Sequence, residues 1–483
     1  MRRSLIYVWG GILLAGAFSA CSDDDEEDNR TEPDVPGTVD EKTLATNEWI
    51  RENMEEVYFW NDHLPNIDEK KETDPEAYFN KLLYKDDHFS WITDDYASLK
   101  SEYDGDPVAM GYDPGFYIFS DASSKVFIMV NYVYPKSGAY TAGLRRGNII
   151  LKINNQELNT DNYYDLYSGD SYSVQLGKLS NGRIVDAGKT LNLTSAISDR
   201  NPAIQHNVID TLGHKIGYLA YVEFLSGKDN IFFGNMDAVF DEFKTAGVSD
   251  VIVDLRYNPG GDIDAAVHLA SLIAPATAVS ANSILVNLKY NSTYQKTIET
   301  KYPDELNYKM ENLPSNMNLQ KVYFLTTERT ASASEMVISG LDPYMDVIQV
   351  GDSTYGKFYG SYVLPDDDEK WAILPIVMKY SNTEDYPDFS HGLVPDVLAF
   401  DDWVTDNPVY NKQYIYSYPL GSSTDPMTRR AIERIAGVSP ASVATRSAGP
   451  AQIWPASRLS DTFMDRKGYL RVPAGAYLKE LNP

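Results

Sequence analysis

One cysteine, Cys21, stands in a chain of 483 residues, so no internal disulfide and no cysteine-rich zinc site can form. Six histidines, His63, His88, His206, His214, His268 and His391, make no His-Glu-x-x-His pattern and no close pair, which argues against a zinc protease. Neither a Gly-x-Ser-x-Gly elbow nor a phosphate-binding loop occurs. Cations are scarce too: 42 Lys and Arg face 70 Asp and Glu, a net charge of −28. A nucleic-acid partner needs clustered Lys and Arg against its phosphates, so that class is excluded.

The chain is too long for one compact core and is expected to divide into two to four domains. An apolar fraction of 43% with 35 tyrosines fits an ordered globular protein. At the N-terminus, Arg2 and Arg3 precede an apolar run from Leu5 to Leu14 and the small residues Ala15, Gly16, Ala17, Ser19 and Ala20, the pattern of a secretory signal. That run is too short to span a membrane. Phe18-Ser19-Ala20-Cys21 resembles a bacterial lipobox, with Phe where Leu is usual. Cys21 is therefore the expected lipidation site and mature N-terminus, which explains why the one cysteine stands there. The acidic run Asp23 to Asp28 then opens a tether too polar to fold, and resembles a surface-export signal of diderm bacteria. The expected address is across the inner membrane, lipid-anchored in the cell envelope at the outer membrane on either face. The membrane is touched only through the anchor.

Six segments follow from composition and periodicity: a signal over 1–21, a tether over 22–43, a helical N-terminal domain over 44–104, a β-rich module over 105–200, an α/β core over 201–404, and a C-terminal helix and extension over 405–483. In the helical domain, Ile50, Met54, Val57 and Tyr58 share one face from about Thr46, and Asp74-Pro75 opens a second helix. Trp49 and Trp60 read as core. In the module, Phe127 to Val133 reads as a strand. Ala142-Gly143-Leu144-Arg145-Arg146-Gly147-Asn148 leading into Ile149 to Asn154 resembles a PDZ domain, although Asn148 stands where Asp is usual. A PDZ domain takes a peptide as an added strand and holds its carboxylate in backbone N–H groups. Gly115-Phe116-Tyr117 is the expected carboxylate-binding loop. From Ile216 onward strands and helices alternate, which predicts an α/β layer structure. Asp425, Pro426 and Gly437 bound one further helix.

Three core segments fit one reaction. Asp254-Leu255-Arg256-Tyr257-Asn258-Pro259-Gly260-Gly261 ends a strand in a turn whose glycines free N–H groups for an oxyanion. Thr330-Ala331-Ser332-Ala333-Ser334-Glu335 opens a helix, with Ser332 or Ser334 as nucleophile and the Ala333 N–H as a second donor. Gly351 to Lys357 is a strand–loop edge ending in a lysine, 25 positions after Ser332. To act as a base, Lys357 must be neutral, which requires burial; Tyr355, Phe358 and Tyr359 are the expected walls.

Taken in order, Ile216-Gly217-Tyr218, Asp254 to Gly261, Ser332 to Glu335, Gly356-Lys357 and His391-Gly392-Leu393-Val394-Pro395-Asp396 resemble the C-terminal processing peptidases, the tail-specific S41 serine proteases. The resemblance spans roughly 45 to 400. It implies a crotonase-like ββα core, an inserted PDZ domain, protein or peptide substrates cut near their C-termini, and no cofactor. It also selects Ser332 over Ser334, with Lys357 as base and Ala333 with Gly260 or Gly261 as oxyanion donors. Many members carry glutamine four residues after the lysine to orient it; Ser361 stands there. His391 reads as structural. The alternative is a catalytically silent, peptide-binding lipoprotein, against which the retention of both Ser332 and Lys357 speaks. A crotonase-type pocket for a small molecule has no motif behind it.

Overall fold

The computed structural model describes residues 39–119, 124–180, 183–197, 199–384, 389–401, 418–438 and 456–458. The expected signal, Cys21 and the acidic run lie outside them. Helix α1 (Glu41–Val57) starts earlier than its apolar face predicts, because Asp40 caps it, accepting from the Thr43 N–H at 2.9 Å. Helix α2 (Pro75–Leu82) is capped by Asp74 with Pro75 at its first position. Ile50, Met54 and Tyr58 are sealed against Tyr78, Phe79 and Leu82, and Trp49 and Trp60 pack at the rim. Helix α3 (Tyr96–Asp104) stops at Gly105, left-handed at φ 79°.

Strands β1 (Tyr112–Phe119), β2 (Val126–Val133), β3 (Ile149–Ile153), β4 (Ser171–Ser180) and β5 (Arg183–Thr194) form an antiparallel sheet in that order. Residues 456–458 pair antiparallel with the outer edge of β1. Gly115-Phe116-Tyr117 is not a loop. It lies inside β1, in register with Met129, Ile128 and Phe127 of β2. The hydrophobic face of β2 recruits those residues into the ladder, and the true connection upstream of β1 ends at Gly111, which has φ 79°.

The core sheet comprises β6 (Ala203–Thr211), β7 (His214–Tyr221), β8 (Asp250–Asp254), β10 (Lys321–Thr326), β11 (Asp346–Gly351) and β14 (Val397–Leu398), adjacent in that order. Only β6–β7 is antiparallel; the others run parallel. Alternation along β8 sends Val251 and Val253 to one face and Ile252 to the other. The first face is covered by helices α4 (Ile231–Ala246), α5 (Ile263–Ile273) and α6 (Ala333–Leu341). The second is covered by helix α7 (Pro426–Ile435) and by Tyr117, Phe127, Met129 and Ile149 of the β module. A smaller sheet sets Asn307–Lys309, β9 (Ile284–Tyr290), β13 (Ile376–Ser381) and β12 (Tyr359–Ser361) side by side. The N-terminal domain reaches the stretch before β13, since its strand Trp91–Thr93 pairs with Ala372–Leu374. In a parallel sheet the loops leaving the carboxyl ends of the strands converge. Here those loops follow β8, β10 and β11.

Candidate active site

The loop after β8 is fixed from below by a buried charge cluster. The Arg256 guanidinium donates through Nε to both Asp254 oxygens, at 3.0 and 2.9 Å, and through its two Nη atoms to Asp425, at 3.0 and 2.6 Å. Tyr218 adds a 2.5 Å bond to Asp254. Asp425 is also the N-cap of α7, so one guanidinium joins the loop to the C-terminal helix. Burial would penalise the Arg256 cation, yet its carboxylates hold its pKa well above the usual value. From this base the chain turns through Asn258, whose Nδ2 donates to the Tyr221 carbonyl at 2.9 Å and whose Oδ1 accepts the Gly260 N–H at 2.9 Å.

The same Asn258 holds the nucleophile loop. Its carbonyl accepts from the Ala331 N–H at 3.1 Å and from the Ser334 hydroxyl at 3.0 Å. Ser334 is thus committed to the backbone. Ser332 is 4% exposed and sits at the mouth of α6 with φ 55° and ψ −116°, a conformation costly for any residue with a Cβ. Three bonds hold its backbone there: its N–H donates to Glu335 Oε2 at 2.8 Å, and its carbonyl accepts from the Tyr380 hydroxyl at 2.9 Å and from the Met336 N–H at 2.8 Å. A Cβ on Gly260 would lie 2.7 Å from Ser332 Cβ and 3.0 Å from the Ala333 nitrogen, so the glycine is what lets the two loops touch. Gly261 stands at φ 134°, where a Cβ would strike the Phe224 carbonyl oxygen. Of the two glycines, Gly260 spends its N–H on Asn258, whereas the Gly261 and Ala333 N–H groups make no hydrogen bond among the described residues.

Lys357 ends the third loop and is 2% exposed. Burial brings its pKa from 10.5 down to about 7, against the opposing pull of Asp87 and Glu335. Its N–H donates to Glu335 Oε2 at 2.8 Å, and its carbonyl accepts from the Tyr380 hydroxyl at 2.7 Å. Glu335 Oε1 takes the Thr354 hydroxyl at 2.5 Å and the Gly356 N–H at 2.7 Å. Burial raises the Glu335 carboxyl to about 7 although all four donors favour its ionised form. Glu335 carries one local signal of this task, its place at the third helical position after a serine. Tyr380, on distant β13, had none.

A ring from outside the loop joins the expected walls, packing against Tyr355 at 6.2 Å and Tyr359 at 6.3 Å between centroids. Phe89 of the N-terminal domain lies 5.0 Å from Nζ, ring centroid to nitrogen. Tyr355 is 36% exposed, and the Phe358 ring faces Lys379 at 4.7 Å. Tyr359 turns toward Phe59 and Trp60. Ser361 is buried on β12, and its hydroxyl makes no hydrogen bond to Lys357 among the described residues. The His391 side chain is exposed; its neighbours do the work, since a Cβ on Gly392 would overlap the Thr354 carbonyl and Leu393 bonds Thr354 in both directions. Between the β module and the core lies a cavity of about 240 Å³ that includes Gly115, Phe116, Tyr257, Pro259 and Arg329 in its lining. Arg329 spans the gap with two bonds to Asp113, at 2.9 and 3.0 Å.

Residues 215–399 match the model of peptidase family S41, and residues 45–91 match that of the peptidase S41 N-terminal domain. The chloroplastic carboxyl-terminal-processing peptidase 1 of Arabidopsis thaliana is 24% identical over 278 residues, which is 56% of this chain. The match spans about half that relative's length, 51%. A crystal structure from Bacteroides fragilis NCTC 9343, assigned to the S41 proteases, is 27% identical with a TM-score of 0.67, over 81% of this chain and 97% of its own. The photosystem II D1 C-terminal processing protease is 19% identical with a TM-score of 0.45, over 81% of this chain and 100% of its own. Ser332, Lys357, Gly260 and Gly261 fall in the first matched segment, Asp87 and Phe89 in the second. Residues 215–399 thus match a peptidase family S41 core and residues 45–91 that family's N-terminal domain, and the chain is similar to the C-terminal processing peptidases.

Proposed function

We propose that this chain is a serine endopeptidase that hydrolyses protein substrates near their C-termini through a Ser332–Lys357 dyad. The observation that carries the reading is a fully buried lysine whose pKa is brought to about 7, held with a strained serine by Glu335 and Tyr380. Neutral Lys357 removes the Ser332 proton as Oγ attacks the scissile carbonyl. The Ala333 and Gly261 N–H groups take the developing oxyanion. The ammonium then gives its proton to the leaving amine, and water releases the acyl-enzyme by the reverse sequence. In this reading the β module acts as a PDZ domain that delivers the peptide, the core is of the crotonase-like ββα type, and Cys21 carries the lipid that fixes the enzyme to the cell envelope.

A fluorophosphonate probe followed by peptide mapping tests the assignment. Labelling at Ser332 that disappears in Lys357→Ala supports it. Labelling at Ser334 contradicts it, and no labelling of the wild-type chain under conditions that label a control serine peptidase favours a silent peptide-binding protein.

A further inference from the structure

We infer that Asp87, carried by the N-terminal domain, is a positioning residue for Lys357: its carboxylate is the buried negative charge that steadies the lysine when it holds the serine proton. The inference rests on the dyad proposed above and adds to it a residue 270 positions before the base, counted from 87 to 357.

The turn that bears Asp87 is built into the core. Asp87 is 8% exposed and accepts four hydrogen bonds: from the Tyr58 hydroxyl at 2.7 Å, the Phe89 N–H at 2.9 Å, the Ser90 N–H at 3.0 Å and the Ser90 hydroxyl at 2.5 Å. The Ser90 oxygen in turn accepts the Ile376 N–H at 2.8 Å, at the start of β13. Phe59 donates its N–H to the Ile376 carbonyl, also at 2.8 Å. Strand β13 pairs with β12, the strand that follows Lys357. The same turn lays the Phe89 ring beside the lysine nitrogen. Asp87 therefore reaches the site on a rigid, buried frame of four hydrogen-bond donors.

The charges around Lys357 come from three directions. Glu335 faces it from α6, Tyr380 from β13, and Asp87 and Tyr58 from the N-terminal domain, while Lys379 is turned onto Phe358. Asp87 is the foremost of those that favour the ammonium. Glu335 spends its four bonds on Thr354, Gly356, Lys357 N–H and Ser332 N–H, fixing backbone. Asp87 has no such backbone duty in the catalytic loops. Its role parallels that of a carboxylate behind a catalytic base: the proton moves from Ser332 Oγ to Nζ, the lysine becomes a cation, and a fixed anion lowers the energy of that state.

The test uses the full chain with Asp87→Asn and Asp87→Glu. Asparagine fits because both Oδ2 partners are hydroxyls, which can reverse to accept from its amide. The Lys357 Nζ titration is followed by NMR of lysine labelled at Cε, in a Ser332→Ala background and independent of any hydrolysis. Asp87→Asn is expected to move the Lys357 midpoint down by about one pH unit, the low end of what a nearby opposite charge produces. With Ser332 present, plateau kcat should fall by about tenfold or more while the acid limb moves to lower pH. Asp87→Glu should restore most of both. A midpoint unchanged in folded Asp87→Asn overturns the inference. Should that variant not fold, Asp87→Ser, smaller and equally uncharged, is read the same way. Absence of hydrolysis by wild type, with the midpoint shift present, would instead strike the peptidase reading and leave the Asp87–Lys357 coupling standing.

Discussion

Ser332 and Lys357 are tied through one atom. Glu335 Oε2 accepts the N–H of each at 2.8 Å, so the nucleophile's strained turn and the lysine's loop share a single acceptor. Glutamine at 335 would present an amide where one carboxylate oxygen stood and leave buried donors unmatched. Glu335→Gln is expected to cost about 2–5 kcal/mol of stability. It should also remove nearly all activity, because Ser332 then relaxes from φ 55°. Chemical denaturation beside an activity assay checks this; a stable, fully active Glu335→Gln protein would contradict the shared-acceptor account.

The pH dependence follows from Lys357. Only its neutral form accepts a proton, and its pKa stands at about 7, so kcat/KM should rise through about pH 7 and level off above it. Glu335, raised to about 7, adds to the same limb because its four donors require the carboxylate. The profile measured from about pH 5 to about pH 9 should therefore climb more steeply than one titration allows. A profile falling across that range would rule out a lysine base.

The buried lysine also weakens the fold, with a sign that can be worked out. In the unfolded chain it stays protonated up to about its ordinary 10.5; in the fold it holds its proton only below about 7. A depressed folded pKa gives stability that is present above 10.5 and lost as pH falls to 7. Relative to an apolar residue, the cost below pH 7 is about 5 kcal/mol. Lys357→Met should thus be inactive yet more stable than wild type at pH 6, with the advantage shrinking as pH rises toward 10. Equal differences in unfolding free energy at both pH values would show that the lysine is solvated.

Gly260 is a contact glycine. Its substitution by alanine would drive a methyl to within 2.7 Å of Ser332 Cβ. Gly260→Ala is expected to lower kcat by about 100-fold or more through displacement of the nucleophile, with a smaller effect on KM. Steady-state kinetics on a peptide substrate separates the two.

Much of this site could be read along the chain because its three loops leave parallel strands joined by helices, and that alternation is written in local periodicity. Lys321–Thr326 and the helix after Ser332 stand where their apolar residues put them. Strand β9 and the long strands β5 and β6 carry weaker patterns and were not legible. Gly115 to Tyr117 looked like a loop because glycine is locally permissive; pairing with β2 overrides that tendency. The lysine's environment failed to show for a different reason. Aromatic neighbours in sequence pointed to Tyr355, Phe358 and Tyr359, but Phe89, against which Tyr355 and Tyr359 pack, and Asp87 arrive from another domain, and burial is set in three dimensions.

The most direct test is hydrolysis of an unstructured protein by the full chain, compared with Ser332→Ala, Ser334→Ala and Lys357→Ala. Activity lost with Ser332 and Lys357 and retained in Ser334→Ala is the predicted result. Equal activity in wild type and Ser332→Ala would contradict the mechanism outright.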